Sequence, residues 1–304
     1  MFTEETSQQV TPLSEEHADP PATVLADHVQ PGPAAEPLDW WRPWLEVVKG
    51  VGVWIVSVFL LLLFPVVFAL PYMVYKIATT GAPTPEALQA DPMLIFISVL
   101  GILPTHLLTL VVAWVVISDW SRRPFWKTIG FEWPKNTSKK VTTLLSVALA
   151  LVLLGLAWLV TSLYGGEKTQ LDLLIESSLP ARFATAFVAL ATAPLIEEII
   201  YRGVLYPPIE RLARMVTRIL NPALEKPVGI GVAVAFVSLL FAGVHVFQYF
   251  NNIAVIIVIT VLSITLTLVR ALSGTVLPSF IIHLVFNGIQ SIFLALAPFV
   301  EKSS

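Results

Sequence analysis

Apolar stretches long enough to cross a lipid bilayer recur along the chain after residue 44. A membrane-spanning helix needs about 20 consecutive apolar residues. The predicted spans are 51–70, 93–118, 141–163, 183–205, 228–248, 252–269 and 276–298. Residues 207–226 instead alternate apolar and arginine positions at helical spacing, which predicts an amphipathic helix on the membrane surface. The pattern therefore predicts an all-α protein, a polytopic membrane bundle of about seven transmembrane helices.

The composition supports this prediction and excludes several kinds of site. Hydrophobic residues make up 56% of the 304-residue chain and charged residues only 13%, whereas a soluble domain carries about 25% charged residues. The lipid bilayer is thus an expected partner. A net charge of −3 gives no basis for nucleic-acid binding. The absence of cysteine excludes disulfides and cysteine-ligated metals.

Charged residues divide the chain into regions and orient it. Residues 1–43 are acidic and rich in proline, which is typical of a disordered, solvated tail. Of the 18 basic residues, 14 fall on one side of the predicted spans. Because positive charge collects on the cytoplasmic side, the N-terminus is expected in the cytoplasm. We expect an integral, multi-pass protein of a bacterial inner membrane, in which residues 44–140 form two spans and an interfacial loop.

Two adjacent acids lie inside the fourth predicted span. Each ionised side chain at a helix centre costs about 2.5–3.5 kcal/mol on the insertion scale, so Glu197 and Glu198 need compensation. Glu198 and Arg202 are four residues apart and can form an ion pair on one helix face. Glu197 points about 100° away, toward another neighbour. The sequence thus predicts one acid that is structurally matched and one that is free.

Later spans supply partners for the free acid. His245 follows Phe241 by one turn in the fifth span, and His283 and Asn287 share a face of the seventh. A carboxylate can activate water, an imidazole can orient it, and an imidazole with a carboxamide can bind an oxyanion. His106, after a proline in the second span, is interpreted as a structural histidine that bonds a freed carbonyl.

The segments E-E-I-I-Y-R-G, F-A-G-V-H and H-L-V-F-N begin at residues 197, 241 and 283. They resemble, in order and placement, three motifs of the CAAX-processing and bacteriocin-processing (CPBP) intramembrane protease family. The resemblance implies that residues 141–304 form a CAAX-protease-like catalytic domain. It also implies that Glu197 and His245 activate water and that His283 and Asn287 bind the oxyanion. By the same resemblance, Glu198, Arg202 and Phe241 support the site.

The resemblance leaves the metal and the substrate open. Glu197, His245 and His283 would be an acceptable zinc triad, although we favour a site without a cofactor. The expected substrate is a membrane-associated or lipidated peptide or protein. The alternatives are a catalytically silent scaffold or immunity-type protein of the same fold, and a proton-coupled transporter. Every motif position is filled, which favours the enzyme, and the repeated halves typical of transporters are not seen in the sequence.

Straight helices do not bring all these residues to one depth. Measured from the cytoplasmic ends of the predicted spans, Glu197 lies about 12 Å deep, His283 about 10 Å and His245 about 25 Å. The mismatch indicates one of two departures from the predicted boundaries. Either the fourth helix extends beyond residue 205, or residues 228–234 remain at the interface.

Overall fold

The computed structural model describes residues 41–165, 170–246 and 248–301, which are helical with short connections and contain no strand. Most of the acidic tail therefore lies outside the described residues. The helices, in chain order, are α1 (Trp41–Thr80), α2 (Pro85–Gln89), α3 (Pro92–Leu100), α4 (Ile102–Ile117), α5 (Phe125–Thr128), α6 (Lys139–Tyr164), α7 (Gln170–Ser177), α8 (Leu179–Phe187), α9 (Ala193–Glu198), α10 (Tyr206–Leu220), α11 (Glu225–Val246), α12 (Ile253–Ser273) and α13 (Leu277–Glu301). Two π-helical segments, Val188–Thr192 and Ile199–Leu205, join α8, α9 and α10.

Seven of the described helical segments are long and apolar enough to cross a membrane, which confirms the predicted fold class. These spans are Trp41–Thr80, Pro92–Ile117, Lys139–Tyr164, Leu179–Leu220, Pro222–Val246, Ile253–Ser273 and Leu277–Phe299. Each predicted apolar stretch corresponds to one of them. The protein is therefore an integral, multi-pass membrane protein with an all-α fold.

The fourth span is longer than predicted. The helix continues without a break from Leu179 through both π-helical segments to Leu220. The amphipathic segment predicted as a separate surface helix is thus, for the most part, a continuation of this helix. A π-helical turn adds a residue to the helical repeat and shifts the faces of the helix, and such turns are frequent at functional sites. Here the two π-helical segments bracket α9, which carries Glu197 and Glu198.

The extension of the fourth span explains the depth of His245. Helix α11 returns antiparallel to α10: a Cβ atom on Gly229 would lie 2.1 Å from Cγ of Arg214, and the rings of Tyr201 and Phe241 are 4.9 Å apart. The first turns of α11 therefore run beside the extended helix before reaching the level of the site. The same register, continued by four residues on each helix, brings His245 beside Glu197. The mismatch found with straight, shorter helices is thereby removed.

The first two spans pack tightly against the rest of the bundle. A Cβ atom at Gly101, between α3 and α4, would lie 2.9 Å from Cα of Pro65 in α1, so only glycine allows this approach. In addition, the indole nitrogen of Trp54 donates a hydrogen bond to the hydroxyl of Tyr201, 3.1 Å away. The described residues from 41 onward cluster as one compact unit. The division at residue 140 stays a prediction, but contacts clearly cross it.

Candidate active site

A fully buried ion pair anchors the site on the fourth span. Arg202 Nη1 donates to Glu198 Oε1 over 3.0 Å, and neither side chain is exposed. The other terminal nitrogen, Nη2, donates to the carbonyl and the hydroxyl of Ser263 in α12, both 3.1 Å away. The predicted pairing of Glu198 with Arg202 is present. Ser263 was not predicted, because it lies within an apolar span that carries no motif.

His283 of α13 lies between the two glutamates. Its Nδ1 atom is 3.0 Å from Glu198 Oε1, and its Nε2 atom is 3.6 Å from Glu197 Oε2. Glu198 faces a guanidinium and is therefore an ionised acceptor, so Nδ1 of His283 is the donor in their hydrogen bond. Nε2 then carries a proton only when the imidazole is cationic. The sequence placed His283 near Glu197 but did not reveal its bond to Glu198.

Glu197 faces a cavity. A quarter of its side chain is exposed, whereas His283 is 2% exposed. The cavity has a volume of about 180 Å³ and is lined by residues of α1, α4, both π-helical segments, α9, and the end of α11 with the turn after it. Glu197, Tyr201, His106, His245 and Gln248 contribute the ionisable and amide side chains of its wall. Of the two adjacent acids, Glu197 is therefore the one that faces the cavity.

The orientation of His245 is fixed by its own helix. Its Nδ1 atom lies 2.8 Å from the carbonyl oxygen of Phe241, one turn earlier, and donates to it because a carbonyl only accepts. This leaves Nε2 as the nitrogen available to the cavity. The Phe241 ring stacks on the imidazole at 4.6 Å, while the Arg202 guanidinium lies 4.8 Å from the same ring. Phe241 thus connects the buried ion pair to His245 through packing.

Asn287 lies apart from the cavity wall. Its amide nitrogen donates to the carbonyl oxygen of Ala189, 3.3 Å away, in the first π-helical segment. One amide hydrogen remains free, on the face of α13 that also carries His283. Neither Asn287 nor His283 belongs to the residues that line the cavity. Their assignment to an oxyanion hole therefore stays a prediction.

His106 of α4 is a site residue that the sequence reasoning missed. Its Nδ1 atom lies 2.8 Å from the hydroxyl of Thr192, and that hydroxyl lies 3.3 Å from the Val188 carbonyl. Since the hydroxyl donates to this carbonyl, His106 donates to the hydroxyl and keeps Nε2 for the cavity. The structural interpretation expected His106 to bond a carbonyl freed by Pro104. Its partner is instead the hydroxyl of Thr192. The sequence did not identify His106 as a site residue, because its partner Thr192 lies 86 positions away.

The candidate zinc ligands Glu197, His245 and His283 are not grouped around a single point in this structure. Among the described residues, no three His, Asp or Glu side chains are placed to hold a metal ion together. His283 holds Nδ1 on Glu198 and directs Nε2 toward Glu197, as metal-ligating histidines also do, so the site without a cofactor stays a prediction.

The fold and the site define a class: a multi-pass helical membrane protein with a water-accessible glutamate and several histidines within the bundle. The model of one family, described as type II CAAX prenyl endopeptidase Rce1-like, matches residues 179–289. This match confirms, over residues 179–289, the resemblance carried by the three motifs. Searches of curated proteins and of solved structures found no match.

Proposed function

We propose that this protein is an intramembrane endopeptidase that hydrolyses its substrate with a water molecule activated by Glu197 and His245. The observation that carries the proposal is the exposure of Glu197 to a cavity that it shares with His245, next to a fully buried Glu198–Arg202 pair. A residue that only stabilised the bundle would be fully buried like Glu198, whereas a quarter of the Glu197 side chain is exposed. The family match adds that related proteins are peptidases.

In the proposed reaction, the carboxylate of Glu197 accepts a proton from water while the water oxygen attacks the carbonyl carbon of the peptide bond. His245 holds the same water through the lone pair of Nε2, since its Nδ1 proton is donated to Phe241. The proton then passes to the leaving amine as the carbon–nitrogen bond breaks. General base catalysis of this kind contributes about 10²–10⁴-fold to a rate.

The oxyanion formed by this attack needs donors, and we assign that role to His283 and Asn287. A protonated His283 would present an Nε2 hydrogen toward Glu197 while Nδ1 stays bonded to Glu198. The charges on Glu197, Glu198, Arg202 and His283 then sum to zero. Asn287, one turn further along α13, would add its free amide hydrogen. Donors oriented before the reaction stabilise such charge with little reorganisation.

The proposed substrate is a membrane-associated or lipidated peptide or protein. The cavity lies within the bundle and has apolar walls that include Val58, Leu61 and Ile102, which suits a chain delivered from the bilayer. The matched family is described as one of prenyl endopeptidases, and a lipid anchor on the substrate would deliver it to this depth.

The test is cleavage of fluorogenic peptides, with and without a lipid chain, by the purified protein in detergent. Wild-type protein should cleave a lipidated peptide, and Glu197→Gln should lose about 10²–10⁴-fold in rate. Glu86→Gln removes an exposed acid of α2 and serves as the matched control. A chelator should leave the rate unchanged. Wild-type turnover in a folded Glu197→Gln protein would refute the assignment of the base, and no cleavage by wild type would favour the scaffold.

A further inference from the structure

A second and larger cavity lies away from the glutamates. It has a volume of about 760 Å³ and is bounded by the segment after α5, the first turns of α6, the end of α12 and the start of α13. The side chains of Lys127, Lys135, Arg211 and Arg270 line it, with Glu132 as the acid among them. Arg211 is already paired with Glu46 of α1. The lining therefore carries a clear excess of positive charge.

Arg270 is the unusual member of this set. It is only 9% exposed, yet it forms no ion pair with a carboxylate of the described residues. Its Nε atom donates to the carbonyl oxygen of Arg202 over 3.1 Å, and its guanidinium lies 5.5 Å from the centre of the Tyr206 ring. The neighbouring acid Glu210 is paired with Arg214 instead. A buried cation without a counter-charge is unfavourable, so an anion supplied from outside would stabilise it.

The backbone beside Arg270 is shaped to leave room for this side chain. Gly130 has a φ of +74°, a conformation that favours glycine, and a Cβ atom there would lie 3.3 Å from Nη2 of Arg270. The amide of Val276 donates to the carbonyl of Gly130 over 2.8 Å, which fixes the loop against the start of α13. The cavity wall is thus a constructed surface around a buried guanidinium.

The surroundings indicate where the anion comes from. Leu145 and Leu272, which also line the cavity, are 62% and 83% exposed, as expected of side chains that face lipid. Trp126, on the adjacent α5, is half exposed, and tryptophan is enriched at the level of lipid headgroups. Cavities rich in basic residues between membrane helices bind anionic headgroups. We propose that this cavity binds the phosphate of an anionic phospholipid, held by Arg270 inside and by Lys127 and Lys135 at the surface.

The test measures binding of phosphatidylglycerol to the full-length protein in neutral detergent by native mass spectrometry. Wild type should retain phosphatidylglycerol in preference to phosphatidylcholine. Each of Lys127→Gln and Lys135→Gln should weaken binding about fivefold, since a basic residue near the surface contributes about that factor. Arg270→Gln should remove saturable binding. A double variant that combines Lys127→Gln with Lys135→Gln keeps the test valid if Arg270→Gln does not fold. Both lysines are exposed, so their replacement should not disturb folding.

Controls separate the lipid from other anions. Lys140→Gln removes an exposed charge from the first turn of α6 without touching the cavity, so it should bind like wild type. Inorganic phosphate alone should compete only weakly, because it lacks the acyl chains that contact the leucines. Equal competition by inorganic phosphate would overturn the lipid assignment. Unchanged phosphatidylglycerol binding in the double lysine variant would overturn the site itself.

Discussion

Glu198 and Arg202 form an ion pair with Oε1 and Nη1 3.0 Å apart, and both side chains are completely buried. The pair is also the point to which two other spans are attached, through Ser263 of α12 and His283 of α13. Removing one partner of a buried pair leaves the other charge without compensation, at about 3–5 kcal/mol. The structure therefore separates residues that hold the bundle from Glu197, which faces the cavity.

We expect Arg202→Ala to lower the thermal stability of the detergent-solubilised protein strongly, because Glu198 would be stranded. Arg211→Ala is the matched control: Arg211 pairs with Glu46 at the surface, and exposed pairs contribute about 0–1 kcal/mol. Glu197→Gln should also unfold near the wild-type temperature. Melting curves of the three variants test this, and equal curves for Arg202→Ala and Arg211→Ala would argue against the anchoring role.

His106 should contribute to cleavage through Nε2, since Nδ1 is bonded to Thr192. His106→Asn keeps a nitrogen donor near the position of Nδ1 but removes Nε2, whereas His106→Gln places an amide near Nε2. We expect His106→Asn to fold normally and to lose about 10²-fold in rate, as for a group that handles protons or water. His106→Gln should retain more activity. Equal rates for His106→Asn and wild type would return His106 to a structural role.

Sequence patterns predicted the spans and the residues of the three motifs, but not how the helices rotate against each other. The length of an apolar stretch is enough to identify a span. The rotation of about 100° between successive helical residues distinguished Glu197 from the Glu198–Arg202 pair. The bond from His283 to Glu198 depends on the rotation of α13, which its own residues do not encode. For the same reason, the sequence did not reveal the contact between His106 of α4 and Thr192.

The sequence pattern also did not predict the full length of the fourth helix. Its arginines and prolines resemble a surface helix that begins after residue 206, yet the helix passes through this point without a break. Pro207 and Pro208 lie where the second π-helical segment meets α10, and they do not end the helix. Packing against α11 then determines the course of α10, and the local periodicity of the sequence does not reveal such packing.

A second ion pair, outside the candidate site, makes stability depend on pH. Asp91 caps the N-terminus of α3, accepting bonds from the amides of Met93 and Leu94, and also contacts Lys76 and Tyr72 of α1. Burial alone would raise the pKa of Asp91, but the Lys76 ammonium and these hydrogen bonds outweigh it and lower the pKa below 3.8. The stabilising contribution is therefore complete above the pKa of the unfolded state, about 3.9, and is lost as the pH falls through the lower folded value.

We expect Asp91→Asn to be less stable than wild type at pH 7 and to approach wild type as the pH falls below about 4. Asparagine still caps the helix, so the difference reports the charge rather than the cap. Glu86→Gln, on the exposed surface of α2, should follow the wild-type curve at every pH. Melting temperatures between pH 3 and pH 7 measure this. A constant gap between Asp91→Asn and wild type would show that the charge of Asp91 is not the cause.

The orientation of the bundle can be tested with single cysteines, since the chain contains none. In the predicted topology, 14 of the 18 basic residues fall on the side that carries the loop before α6 and the turn between α10 and α11. From the positive-inside rule we therefore expect these two segments, and the N-terminus, in the cytoplasm. The exposed residues Asn136 and Ala223 represent this side, while Ala82 and Asn251 represent the other.

Cysteines at Asn136 and Ala223 should react with a membrane-impermeant thiol reagent only after the cells are opened. Cysteines at Ala82 and Asn251 should react in intact cells whose outer envelope admits the reagent. Labelling of Ala223 and Asn251 on the same side would mean that α11 does not cross, and the depth argued for His245 would then fail. A complete reversal of the pattern would place the phospholipid cavity in the outer leaflet, because Lys127 and Lys135 lie on the same side as Asn136.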